Sequence, residues 1–198
     1  MTDFNQQRQQ ILARIAQACQ SIGRDTNSVS LLAVSKTHSA SSIRELYHTG
    51  QREFAENYLQ EASAKQAELM DLAIEWHFIG PVQRNKTRDL AAHFAWVHGV
   101  DRLVIAERLS AQRPLGLPAL NLCIQVNIDD QASKSGCHPD QLPELVQHIS
   151  GLPNVRLRGL MVIPAPHHHA AFEQTRQHFE MLRGQHQHPA DWDTLSMG

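Results

Sequence analysis

The sequence predicts an α/β fold built on a parallel sheet, and three observations carry that prediction. Short runs of β-branched and apolar residues alternate with longer amphipathic stretches along a chain of 198 residues. Several runs, such as Leu120-Asn121-Leu122-Cys123-Ile124-Gln125-Val126, mix alternation with continuous apolar character, which suits a strand covered on both faces. Strand and helix repeat at the spacing of right-handed βαβ units.

The first element is a helix. Ile11, Ile15, Ala18, Cys19 and Ile22 recur at helical spacing, and Gly23 is placed to stop it. Seven strands follow, over residues 29–35, 53–57, 74–80, 96–101, 120–128, 155–163 and 194–197. Helices over 41–49, 58–71, 85–94, 103–112, 139–150 and 170–185 lie between them. Ser41 and Ser42 are placed to cap the first of these helices and Gly50 to end it, while Pro139-Asp140 opens the fifth. The stretch Arg113-Pro114-Leu115-Gly116-Leu117-Pro118 is a helix-to-strand loop, so residues 1–198 are expected to form one domain. An open doubly wound sheet usually carries a Gly-rich phosphate turn after its first strand, and here Lys36-Thr37-His38-Ser39 stands in that place. A TIM-type (β/α)8 barrel is the better match, with seven of its eight strands in this sequence and an extra helix in front.

Composition narrows the function classes. The net charge is −2 and there is no basic run, so a nucleic-acid surface is not expected. No stretch approaches the roughly 20 apolar residues of a spanning helix, and the N-terminal residues contain no apolar leader core. A cytoplasmic protein without membrane association is therefore expected. Cys19, Cys123 and Cys137 are odd in number and lack a Cys-x-x-Cys spacing, which fits free buried thiols. The 13 histidines raise the question of metal. His167-His168-His169 cannot all point one way, and no Cys or carboxylate is suitably spaced beside them. A polar loop after Pro164-Ala165-Pro166 accounts for them, and no metal site is expected.

Candidate chemistry lies at the C-terminal ends of the strands, which converge on one rim in a parallel barrel. Those positions hold Lys36, Asn57, His77 with Gly80, Asp101 with Arg102, Asn127, and Ser196. Lys36 directly follows the apolar run Leu31-Leu32-Ala33-Val34 and Ser35. A lysine at such a mouth can act as an amine nucleophile toward an aldehyde. Position alone also allows a surface lysine that merely ends a strand. Similarly, His77 is either a ligand neighbour or a buried, hydrogen-bonded histidine. Lys134, in Lys134-Ser135-Gly136, is either an anion-binding rim residue or a solvated loop lysine, and the cluster Arg84, Lys86, Arg88 is a solvated helix face or a phosphate contact.

Seven motifs in fixed order add to this. They are Ala-Val-Ser-Lys-Thr at 33–37, Phe-Ala-Glu-Asn-Tyr at 54–58, Trp-His-Phe-Ile-Gly-Pro-Val-Gln-Arg-Asn-Lys at 76–86, Asp101-Arg102, Val-Asn-Ile at 126–128 with Lys-Ser-Gly at 134–136, Arg-Gly-Leu-Met at 158–161, and Leu-Ser-Met-Gly at 195–198. With them the sequence resembles the YggS/PROSC family of pyridoxal-phosphate homeostasis proteins from about Leu31 to Gly198. The resemblance implies a fold-type III barrel similar to the barrel domain of alanine racemase. It implies pyridoxal 5'-phosphate held as an internal aldimine on Lys36, with Asn57, His77, Met161, Ser196 and Gly198 as further cofactor contacts. The family's Gly-Glu-Asn-Tyr occurs here as Ala55-Glu56-Asn57-Tyr58. Family members continue past Ser-Met-Gly into phosphate-binding residues, a last helix and the eighth strand, so a longer natural chain is expected.

Three functions share a reactive lysine. One is a non-catalytic carrier that buffers or transfers pyridoxal phosphate, with other B6 vitamers and apo-enzymes as partners. Another is an amino-acid racemase, which needs a base on each face of the bound substrate. Only Tyr47 and Tyr58 could supply a tyrosine base, both in helical segments. A third is an aldolase-like barrel acting on a sugar carbonyl. The motifs favour the carrier, as a monomer with no catalytic residues.

Overall fold

The computed structural model describes residues 3–129 and 135–198, and Lys134 lies outside the described residues. The chain forms two compact units, Met1–Trp76 and His77–Gly198, each described here by itself.

The first unit opens with helix α1, Phe4–Ser21. Asp3 caps it by accepting from the Gln6 N–H, and Gly23, at φ +67, turns the chain away at its end. Arg8 on α1 donates to the carbonyls of Thr49 and Gly50 and to Gln51 Oε1. Strand β1 is Ala33–Val34, helix α2 is Ala40–His48, strand β2 is Glu53–Glu56 and helix α3 is Leu59–Glu68. Ser39, rather than Ser41 or Ser42, caps α2 by accepting from the Ser42 N–H at 3.2 Å. The expected strand over 29–35 shrinks to two residues. The Gln51 amide bridges the carbonyls of Leu31 and Glu53 at 2.7 and 2.8 Å, so a side chain occupies what would be a ladder position. β1 and β2 are parallel, with Ala33 opposite Phe54 and Val34 opposite Ala55. Phe54, Ile43, Ala40 and Leu69 form the core of this unit, with Leu46, Ile74 and Trp76 packed against it.

Strand β3, Glu75–Phe78, contains the boundary between the units. Helix α4 is Thr87–His93, β4 Trp96–Val100, α5 Leu103–Gln112 and β5 Leu120–Gln125. Then come α6, Leu142–Ile149, β6, Val155–Val162, α7, Ala170–Leu182, and β7, Thr194–Met197. In the second unit β3, β4, β5, β6 and β7 pair in that order, all parallel. Val97, Leu120, Leu122, Ile124, Leu157 and Leu160 are buried, as strands flanked by helices require. β5 stops short of the expected residue 128 because Cys137 takes over its ladder: Cys137 N–H donates to Gln125 O and Asn127 N–H to Cys137 O, both at 2.9 Å. Gly159 lets β6 and β7 approach, since a Cβ there would stand 1.8 Å from the Thr194 carbonyl oxygen. All seven expected strands are present among the described residues.

Candidate functional site

In the first unit the pairing of β1 with β2 places Lys36 and Asn57 each two residues beyond the register pair Val34 and Ala55. Lys36 is exposed, and its amine takes part in no hydrogen bond or ion pair of the described residues. The backbone around it is held from below. Ser35 is buried, its N–H donating to Ala55 O at 2.9 Å and its hydroxyl to Glu56 Oε1 at 2.6 Å. The next residue, Thr37, has φ +67, a left-handed conformation that a β-branched residue adopts only under constraint. Its N–H donates to Glu61 Oε1 at 2.7 Å.

A second lysine supplies the constraint. Lys65 on α3 is 6 % exposed, and its ammonium donates at 2.7 Å to each of the Ser35 carbonyl, Glu56 Oε1 and Glu61 Oε1. All three donor directions of Lys65 are thus used on the segment that carries Lys36. The Lys65 hydrogen bond, followed by that from Thr37, holds the Glu61 carboxyl below its usual pKa. Two buried acceptors in this unit find no hydrogen-bond partner among the described residues: Glu56 Oε2 and Asn57 Oδ1. Buried acceptors are nearly always satisfied, so Asn57 Oδ1 suits a donor from a ligand.

The second unit carries His77, Met161, Ser196 and Gly198. Met161 in β6 is opposite both Gln125 in β5 and Ser196 in β7. Gly198 N–H donates to the Val162 carbonyl at 3.3 Å, so the sheet occupies that donor. His77 is buried and stacks on Trp96, with ring centroids 5.4 Å apart and 8° between planes. Arg158 lies 4.9 Å over Trp96 and makes a two-point ion pair with Asp193.

His98, in β4, joins two of the expected residues. His77 Nδ1 lies 2.9 Å from His98 Nε2, and His98 Nδ1 lies 2.8 Å from Ser196 Oγ. Burial, with a smaller contribution from the neighbouring His77, pulls the His98 pKa from 6.5 down to about 3. Above pH 6.5, folded and unfolded chains both hold His98 neutral. Between 6.5 and about 3 the unfolded chain takes up a proton that the folded chain refuses. Stability is therefore expected to fall with pH through this window by up to about 1.4 kcal/mol per unit from this group. Urea unfolding of wild type and His98→Asn at pH 7 and pH 5 checks this: the variant loses that part of the slope.

The other expected features lie apart from these groups. In the histidine tract, His168 pairs with Asp129, which also accepts from the Ala165 N–H at 2.7 Å, and His167 takes φ +70 in the turn. Arg84 lines an open cleft of about 660 Å³ with Asn85, Asp101 and Arg102. Cys19, Cys123 and Cys137 are free and buried, and burial pushes the thiols of Cys123 and Cys137 up to about 12. Among the described residues no helix is long and apolar enough to cross a membrane.

The model of the alanine racemase N-terminal domain family matches residues 8–198. The pyridoxal phosphate homeostasis protein of Pseudomonas aeruginosa is 56 % identical over 193 residues, covering 95 % of this chain and 81 % of the relative. The Escherichia coli protein of the same name is 46 % identical over 203 residues, covering 100 % and 87 %. Among solved structures, PipY of Synechococcus elongatus with PLP bound shows a TM-score of 0.79 at 40 % identity, covering 94 % of this chain and 88 % of PipY. The fold is thus of the TIM-type α/β class that the sequence predicts.

Proposed function

We propose that this chain, which belongs to the alanine racemase N-terminal domain family and within it to the pyridoxal phosphate homeostasis proteins, holds pyridoxal 5'-phosphate on the Lys36 amine and buffers or transfers it in the cytoplasm. One observation carries this reading. Lys36 is the exposed, uncommitted amine of a segment that a second, fully committed lysine clamps from below. When bound, the cofactor supplies an aldehyde that condenses reversibly with an amine. The residues present fit such a group. Lys36 is the covalent anchor, and Asn57 offers a buried acceptor without a hydrogen-bond partner among the described residues.

On this reading the chain's own residues hold and orient the cofactor. Tyr47 lies on α2 beneath the Arg52 guanidinium, 3.9 Å from its ring centre. Tyr58 heads α3 and is 65 % exposed. A racemase needs opposed bases, and Tyr47 is engaged by Arg52 while Tyr58 faces solvent. The chain acts as a carrier without catalytic residues, as a monomer, independent of nucleic acid and membrane. Its partners are pyridoxal phosphate, other B6 vitamers and apo-enzymes that need the cofactor.

Borohydride reduction of the protein loaded with pyridoxal phosphate, followed by peptide mapping, tests this. The expected result is one pyridoxyl adduct, on Lys36. An adduct only on another lysine, or none, overturns the assignment. Conversion of L- to D-alanine above the buffer rate would favour a racemase instead.

A further inference from the structure

Lys36 occupies a tight turn of the first unit, and the turn takes the form its residues would not choose alone. The His38 N–H donates to the Ser35 carbonyl at 3.1 Å, which closes a four-residue β-turn with Lys36 and Thr37 at its centre. Thr37 has φ +67 while the φ of Lys36 is negative, the pattern of a type II turn. Types I and II differ by a flip of the peptide between the two central residues, here Lys36 and Thr37. Type II puts its third residue in the left-handed region, where glycine or asparagine is usual and a β-branched residue is an outlier. The sequence Ser35-Lys36-Thr37-His38 by itself therefore favours type I. One contact accounts for the difference. The Thr37 N–H, which belongs to the peptide that would flip, donates to Glu61 Oε1 at 2.7 Å. A flip would turn that N–H away and bring the Lys36 carbonyl toward the carboxylate. Glu61 is itself held: its side chain is 31 % exposed, and the same Oε1 accepts from Lys65 Nζ at 2.7 Å. That ammonium also donates to the Ser35 carbonyl, so the first residue of the turn and the acceptor of its central peptide share one cation.

We propose that Glu61 is a positioning residue for the Lys36 amine: by holding the Thr37 N–H it selects the type II turn and keeps the backbone under the amine in the form that captures the cofactor aldehyde. This rests on the carrier function proposed above. Hydrogen bonds to charged acceptors are the stronger ones, and this one is made only in the type II form. Without it the central peptide moves between two orientations, and Lys36 spends only part of its time on the competent backbone. Apparent affinity falls by the fraction of the competent form, so the bound cofactor is retained less long. Glu61 acts through the turn and touches neither the amine nor the cofactor.

The test compares wild type, Glu61→Ala, and Glu61→Ala combined with Thr37→Gly, each as the full chain loaded with pyridoxal phosphate. Glycine takes a positive φ without strain and favours type II at this position, so Thr37→Gly supplies from the backbone what Glu61 supplies from a side chain. Glu61→Ala is expected to keep the borohydride adduct on Lys36 at saturation but to release the cofactor on dilution about tenfold faster, the effect of one lost charge-assisted hydrogen bond. The double variant is expected to return to a rate near wild type. A glycine in the turn does not repair the lost Lys65–Glu61 ion pair, so a merely structural role predicts no such rescue. Amide hydrogen exchange of the wild type needs no variant to fold: the Thr37 amide is expected to be protected although Thr37 is exposed. Glu61→Ala with unchanged release, a double variant that releases as fast as Glu61→Ala, or a wild-type Thr37 amide that exchanges at the free rate overturns the positioning role and leaves the carrier reading intact. A wild type that forms no Lys36 adduct overturns the carrier reading, and the role of Glu61 falls with it.

Discussion

Lys36→Ala is expected to abolish the covalent capture of pyridoxal phosphate completely while leaving the fold in place. The side chain is exposed and makes no hydrogen bond or ion pair with the described residues, so its removal takes little from the core of the first unit. Surface substitutions of this kind usually stay within about 0.5 kcal/mol. Absorbance titration with the cofactor and a urea midpoint on the same preparation check both halves. Loss of capture together with a large drop in midpoint would mean that Lys36 supports the structure rather than serving as an anchor. Lys36→Arg sharpens the result: the charge remains, but the guanidinium is not deprotonated and does not act as the amine nucleophile.

Lys65→Met is expected to have the largest effect on stability. Its partner Glu56 is fully buried, and after the substitution Glu56 Oε1 keeps only the Ser35 hydroxyl while Oε2 already lacks a partner. Breaking a buried pair from one side leaves an uncompensated charge and costs about 3–5 kcal/mol. Chemical denaturation reads this directly. Replacing both partners, Glu56→Leu with Lys65→Met, is expected to be milder than the single change, because no buried charge is then stranded. The single variant should also weaken cofactor retention at Lys36. The Ser35 carbonyl and the Glu61 carboxylate that fix the turn at Thr37 lose their shared cation. A Lys65→Met protein with wild-type stability would show that the three acceptors are satisfied by water instead.

The departures from the predicted elements have local causes. Ladder lengths depend on side chains from elsewhere in the chain. Gln51 shortens β1 by bonding the Leu31 carbonyl, and Cys137 takes over the ladder after Gln125. Neither is visible in the hydrophobic pattern of the strand it limits. The helix expected over 139–150 begins as a 3₁₀ turn, Pro139–Gln141, in which His138 and Gln141 cap each other, and becomes α-helical at Leu142. The helix expected to start at Ser41 begins one residue earlier because Ser39 has the extended backbone that a cap requires.

By itself the sequence determined the fold class, the place of all seven strands, the family, and the residues Lys36, Asn57, His77 and Ser196 at strand ends. Periodicity and ordered motifs are local properties, and strands covered by helices must carry them to be buried. Only the tertiary structure decided what supports those residues. Lys65 stands four residues after Glu61 on a helix, the pattern of an ordinary surface ion pair, yet it is buried under the segment of Lys36. His98 is one polar residue in the apolar strand Trp96–Val100, and its meaning comes from Ser196, 98 residues away. Burial and hydrogen-bond partnership are set by what the folded chain brings from a distance, and no spacing along the sequence encodes them.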